Sequence, residues 1–152
     1  MGVLYDYFGA ATDEEAAAVV DWVGGPAYPP LGAEQKDSVD LKGIDPAVML
    51  GKLEALLVGR SYDEIAESHG VSAVRFVESG EKGVVSVADR LTAVLAEATD
   101  EQLVAVAGAW SETEEFHGLT DPAVLHRPLH DLRDLAARIR QRGHRLYCWM
   151  SI

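Results

Sequence analysis

The two ends of this chain are its clearest β-runs, and that restricts the fold more than anything between them. Residues 3–8 read VLYDYF and residues 146–151 read LYCWMS. In the first, Tyr5 and Tyr7 oppose Leu4 and Phe8. In the second, Leu146, Cys148 and Met150 oppose Tyr147, Trp149 and Ser151. That two-residue alternation is the strand period, and apolar groups on both sides call for cover on both sides. The pattern predicts that the ends pair in one small sheet wrapped by helices. The fold class is then α+β, helix-dominated, with one domain over residues 1–152. A chain of 152 residues suits this, since at such a length roughly 70% of the unfolded surface is buried without staples.

Helix starts are written plainly between the ends. Thr12–Glu15, Ser61–Glu64 and Thr99–Gln102 each have the spacing of a capping box, in which a hydroxyl and a longer side chain satisfy orphan amides reciprocally. The first helix is expected to run to Val23, where Gly24, Gly25 and Pro26 stop it. Asp45-Pro46 opens a helix with Val48, Met49, Leu50, Leu53, Leu56 and Leu57, closed by Gly59. Its apolar surface is nearly continuous, which predicts contact on more than one side. Residues 71–85 are ambiguous: Val74, Phe76 and Val84 fit short strands about a turn at Gly80 and Gly83, while Ser86 is expected to cap a helix carrying Val87, Leu91, Val94 and Leu95. Leu129, Leu132, Leu135, Ala136 and Ile139 form the stripe of a last helix ended by Gly143, with Pro128 either kinking or restarting it. His69 and His144 stand beside helix-ending glycines, where a cation suits the last carbonyls. Residues 24–43 hold three prolines and four glycines, and the expectation there is a functional flap or a mobile surface loop.

Charge is unevenly distributed. The net charge is −12. Residues 127–145 carry six arginines against Asp131 and Asp134, a local +4, so residues 1–126 carry −16. An anionic exterior disfavours nucleic acid and anionic lipid and favours a cationic protein partner. The arginines themselves are expected to form a solvated face or to pair with acidic neighbours. A single cysteine excludes an intrachain disulfide framework. No leader pattern and no long apolar run is visible, so a cytoplasmic setting without membrane is the expectation.

Few residues suggest chemistry. Tyr62–Gly80 is similar to a helix-turn-helix of DNA-binding regulators, with Ser72, Ala73 and Arg75 toward the bases, but it carries −3 by itself and phosphate would repel it. His126, His130 and Asp134 recur every four residues, a spacing that could present a metal set on one helix face. Glu112, Glu114, Glu115 and His117 cluster at a helix end. They could meet a cationic partner, or with His126 and His130 serve acid–base chemistry in a pocket. Tyr28, in the Pro-rich loop, is the candidate exposed anchor for a partner. Cys148 is expected to be packing. No P-loop, GxGxxG, GxSxG or DxDxDG run occurs, so no cofactor is expected.

The start MGVLYDYF, the helix at 46–59 ending LLVG, the helix pair at 87–110 and the finish DLAARIRQRGHRLYCWMSI together resemble the YfbM-like family of small bacterial proteins. The chain departs from that family in its Pro-rich loop and over residues 60–85. The resemblance implies helices around a small sheet holding both ends, and it gives no residue a catalytic role. The expected function is a non-enzymatic, acidic protein-binding module, an immunity or inhibitor protein for a cationic partner such as a toxin. The alternative is a small-molecule or metal-dependent enzyme or sensor using the Glu and His groups around 112–134.

Overall fold

The computed structural model describes residues 2–68 and 70–152; the helix-end role expected of His69 falls outside them. The described residues form an α+β domain of six α-helices and one five-stranded sheet. β1 (Leu4–Ala10) and β5 (Arg145–Ser151) pair antiparallel, with Tyr7 opposite Cys148 and Phe8 opposite Tyr147. These two strands from opposite ends of the sequence form the middle of the sheet. β2 (Ser38–Asp40), β3 (Val71–Phe76) and β4 (Lys82–Val87) complete it in the order β2-β1-β5-β4-β3. Every neighbouring pair is antiparallel.

The alternation along the central strands sorts the core into two layers. On one face Tyr7, Cys148, Leu146, Val85 and Val87 meet the larger helices. These are α2 (Val48–Val58), α4 (Asp89–Glu97), α5 (Asp100–Ser111) and α6 (His126–Gln141). On the other face Phe8, Ala10, Tyr147, Trp149 and Val84 meet α1 (Asp13–Ala18) and the 3-10 turn Val19–Asp21. Phe8 and Tyr147 stack at 5.7 Å, an offset ring pair of the kind that adds to burial. α3 (Tyr62–Glu67) packs beside α2.

Capping works locally as the sequence predicts. Thr12 and Ser61 each accept from the amide three residues on, and Thr99 with Gln102 forms the complete reciprocal box. Asp45 accepts from the Ala47 and Val48 amides, and Gly59 takes the left-handed conformation that closes α2. Pro128 sits in the first turn of α6, where its missing N–H costs no helical bond. A 3-10 turn, Pro122–Leu125, leads into that helix.

Local expectations change at several points. The first helix gives way after Ala18 to the 3-10 turn instead of continuing to Val23. Residues 71–87 are a hairpin, so Ser72, Ala73 and Arg75 lie on a strand and no recognition helix exists there. Ser86 is likewise part of β4 and bonds the Ser72 carbonyl, while α4 begins at Asp89 without a side-chain cap. The β-branched residues of 84–87 gain a fully covered place beside β5, which outweighs the local cap signal. Finally, the 24–43 segment is secured at several points. Its last part supplies β2, Gly25 sits against Asp6 and Trp149, and Asp37 is held by Arg138.

Two buried aromatic side chains fix α2. The Tyr7 hydroxyl donates to the Ile44 carbonyl (2.7 Å), and the Trp110 indole N–H donates to the Met49 carbonyl (2.9 Å). The Tyr7 hydroxyl and the Trp110 indole N–H would otherwise be buried donors without a partner, so these bonds help to position the start of α2. Glu54, 1% exposed, receives the Arg90 guanidinium from α4 at 2.8 Å. A buried carboxylate requires such a partner, and the pair ties α2 to α4.

Candidate functional site

The arginines of 127–145 turn mostly inward to the chain's own acids. Arg133 donates to Asp100 (2.7 Å), to Asp134 (2.7 Å) and to the Ala98 carbonyl (2.8 Å). Arg138 grips Asp37 with two bonds at 2.8 and 2.9 Å, and Arg142 adds a third at 3.2 Å. Arg145 reaches Asp89 at 3.2 Å and Asp13 at 3.5 Å. The Arg138 fork holds the Asp37 carboxyl below its ordinary range, and Arg133 does the same for Asp100. Forked contacts of this kind are the stronger class of surface pair. Arg127, 90% exposed, has only the loose Asp131 contact at 3.8 Å.

The opposite situation holds along α2, α4 and α5. A groove of about 500 Å³ runs between them, floored by Leu57, Val94 and Ala98 and bordered by Leu56, Ala105 and Ala109. It meets a second groove of about 440 Å³ at Leu56, which lines both. Leu56 is 40% exposed although Leu53, three residues earlier on the same helix, is fully buried. The contact that α2 was expected to make on a second side is therefore absent toward its C-terminal end. Glu97 lies at one end of this furrow, and Glu112 and Glu114 at the other. None of these three carboxylates has a cation within ion-pair distance among the described residues. The cations lining the second groove are already engaged: Lys52 by Glu115 at 2.6 Å, Arg60 by Glu64 at 3.1 Å.

That Lys52 contact divides the acidic cluster expected at 112–115. Glu112 and Glu114 face the furrow, whereas Glu115 is held by the ammonium, which lowers its pKa. The buried Oε1 of Glu115 lacks a well-angled hydrogen bond, and the short ion pair is what compensates it. Tyr28 is 67% exposed, as an anchor would be. It rides on the loop whose Gly25 covers Trp149, on the other face of the sheet from α2 and α5. The structure thus does not bring Tyr28 and the glutamates into one patch.

His126, His130 and Asp134 share one face of α6 but are not gathered into a metal-holding group. His130 Nδ1 lies 2.6 Å from the His126 carbonyl, and its Nε2 lies 3.3 Å from Asp100. Asp134 is taken by Arg133. Helical spacing places the three on one face, but His130 and Asp134 are drawn to partners of their own, Asp100 and Arg133. Among the described residues no group of three His, Cys, Asp or Glu side chains is placed to hold a metal ion. None of the five grooves described is lined by Glu115, His117, His126 or His130, although the His117 charge acts on Glu115. Cys148 is buried, and desolvation pushes its thiol up, away from nucleophilic use.

Sequence reasoning missed one carboxyl pair. Asp6 on β1 stands directly opposite Asp40 on β2. Burial, then the charge and hydrogen bond of Asp40, push the Asp6 carboxyl up to about 6. Only the strand register reveals it, because nothing in the sequence links residue 6 to residue 40. Among the described residues no helix is long and apolar enough to cross a membrane. Comparison with protein-family models, curated proteins and solved structures finds no match to this chain.

Proposed function

We propose that this protein is a binding module for a cationic protein, acting as an immunity or inhibitor protein does when it holds a basic toxin. The observation that carries this reading is the one-sided use of its cations. With a net charge of −12, the chain uses four of its nine arginines, Arg133, Arg138, Arg142 and Arg145, to neutralise Asp37, Asp89, Asp100 and Asp134 on the α6 side. Around an apolar furrow, Glu97 and Glu112 have no ion-pair partner among the described residues, and Glu114 shares the charge of Lys52 with Glu115. Such a field attracts a cationic partner and speeds encounter, and it repels nucleic acid and anionic lipid. The resemblance to the YfbM-like family supplies no competing activity. The cytoplasmic setting belongs to this proposal, since a reduced, buried Cys148 suits it.

The test is affinity capture with the intact protein at low ionic strength from its native cells, followed by elution with salt. The expected product is a stoichiometric complex with a protein of surplus positive charge. Recovery of no partner at low salt, or of a partner indifferent to salt, would overturn the reading.

A further inference from the structure

The geometry points to the furrow between α2, α4 and α5 as the docking groove for an amphipathic, cationic α-helix of the partner. This inference rests on the cationic-partner reading above and narrows it to one surface and one shape of ligand.

Three observations converge on the furrow. The first is unspent apolar surface. α2 is apolar nearly all round, yet its core side uses Leu50 and Leu53 while Leu56 remains 40% exposed. A helix hydrophobic on every side is ordinarily covered on every side, and the described residues supply no cover for this end. The second is shape. α5 presents Ala105 and Ala109 to the groove, one helical turn apart. Small side chains at that spacing let a second helix approach closely and seat its own larger residues. The walls are preformed, since Glu54–Arg90 fastens α2 to α4 and the Trp110 indole fastens α5 to α2. A groove that need not rearrange loses little affinity to ordering. The third is charge. Glu97 stands at one end and Glu112 and Glu114 at the other, with the neighbouring Lys52 and Arg60 already paired. Apolar centre and anionic ends are the complement of a helix with a leucine-type stripe and lysine or arginine beside it. A second copy of this chain fits less well. Its own exposed carboxylates would meet the same acids, and of the arginines on and just after α6 Arg133, Arg138 and Arg142 are taken internally.

The experiment uses the intact protein and a fluorescent synthetic peptide of leucine and lysine, about four helical turns long, with leucines at helical spacing. A scrambled peptide of identical composition serves as the charge-only probe. Fluorescence anisotropy should show the amphipathic peptide binding about tenfold or more tightly than the scrambled one. Two surface variants should each remove that preference while leaving the melting curve unchanged: Ala105→Arg, which fills the groove with a cation, and Leu56→Ser, which removes its centre. Replacing Glu97 and Glu112 by Gln should weaken binding several-fold and flatten its salt dependence. Equal, salt-sensitive binding of both peptides, unaltered by Ala105→Arg, would overturn the groove while sparing the cationic-partner reading. Absence of binding by either peptide at low salt would count against both. Sedimentation of the protein alone gives the remaining arm: a dimer dispersed by Ala105→Arg would assign the groove to a second copy and overturn the peptide proposal.

Discussion

The α6 side and the α2/α5 side of this molecule handle the same problem in opposite ways. Both gather charge at a helix surface. Around α6, guanidinium forks from Arg133, Arg138 and Arg145 meet carboxylates from three separate parts of the chain. Around the furrow, carboxylates border exposed leucine and alanine, and the nearby Lys52 and Arg60 are ion-paired to Glu115 and Glu64. One side is finished within the chain. The other has apolar area and charge left over, and that residue of unmet interaction is where a partner gains most.

The contrast is sharpest within α2. Leu53→Ala should destabilise the fold by about 3 kcal/mol through a cavity in the core, as read by urea denaturation. Leu56→Ala, one turn along, should shift the same curve by under about 0.5 kcal/mol, as at other exposed sites. A large loss at Leu56 would show that the furrow wall is part of the core and break the comparison. Next in size is Arg133→Ala. It leaves Asp100, Asp134 and the Ala98 carbonyl without their shared donor, and should cost about 1–2 kcal/mol.

A smaller effect separates the sheet edge from both helix surfaces. The Asp6 carboxyl titrates near about 6 in the folded protein, above its ordinary 3.8. Between those values the folded state keeps a proton that the unfolded chain has lost, so this pair's contribution falls as pH rises through that window. Asp6→Asn should therefore raise stability at a pH of about 8 by about 1 kcal/mol, after allowance for solvent screening, and leave it nearly unchanged at a pH below about 4. An equal gain at both pH values would remove the carboxyl repulsion from the account. The smallest predicted change is Arg127→Ala, within about 0.3 kcal/mol, because its partner is distant and its side chain is in water.

What the sequence disclosed was local. Alternation at residues 3–8 and 146–151 marked the two central strands, and Thr12, Ser61, Thr99 and Gly59 marked helix ends. Each of those signals is complete within a few residues. The hairpin at 71–87 was ambiguous, because Ser86 and its neighbours carry a helix-start signal that loses to strand pairing only once β5 lies alongside. Asp37 and Arg138 are 101 residues apart, and Asp6 and Asp40 meet only through register. Glu112 and Glu114 were recognisable as candidates from charge alone. That Leu56 would share their surface, and that Glu115 would be taken by Lys52, depends on how α2 lies against the chain after α5. The even spacing of His126, His130 and Asp134 is legible in the same limited way: periodicity fixes a face, not that Asp100 and Arg133 already stand beside it.

The pairing of β1 with β5 has a consequence for how the molecule is made. The central ladder joins residues 4–10 to residues 145–151, so it cannot close until residues 145–151 have been made. Until then β1 has only the short β2, and β4 only β3, beside it. Closing so long a loop slows folding and leaves strand edges bare in the interim. A chain stopped just before Arg145 would thus be more than slightly shortened; it would emerge with two open edges facing the gap where its middle strand belongs, a state suited to aggregation or to swapping that strand with a neighbour.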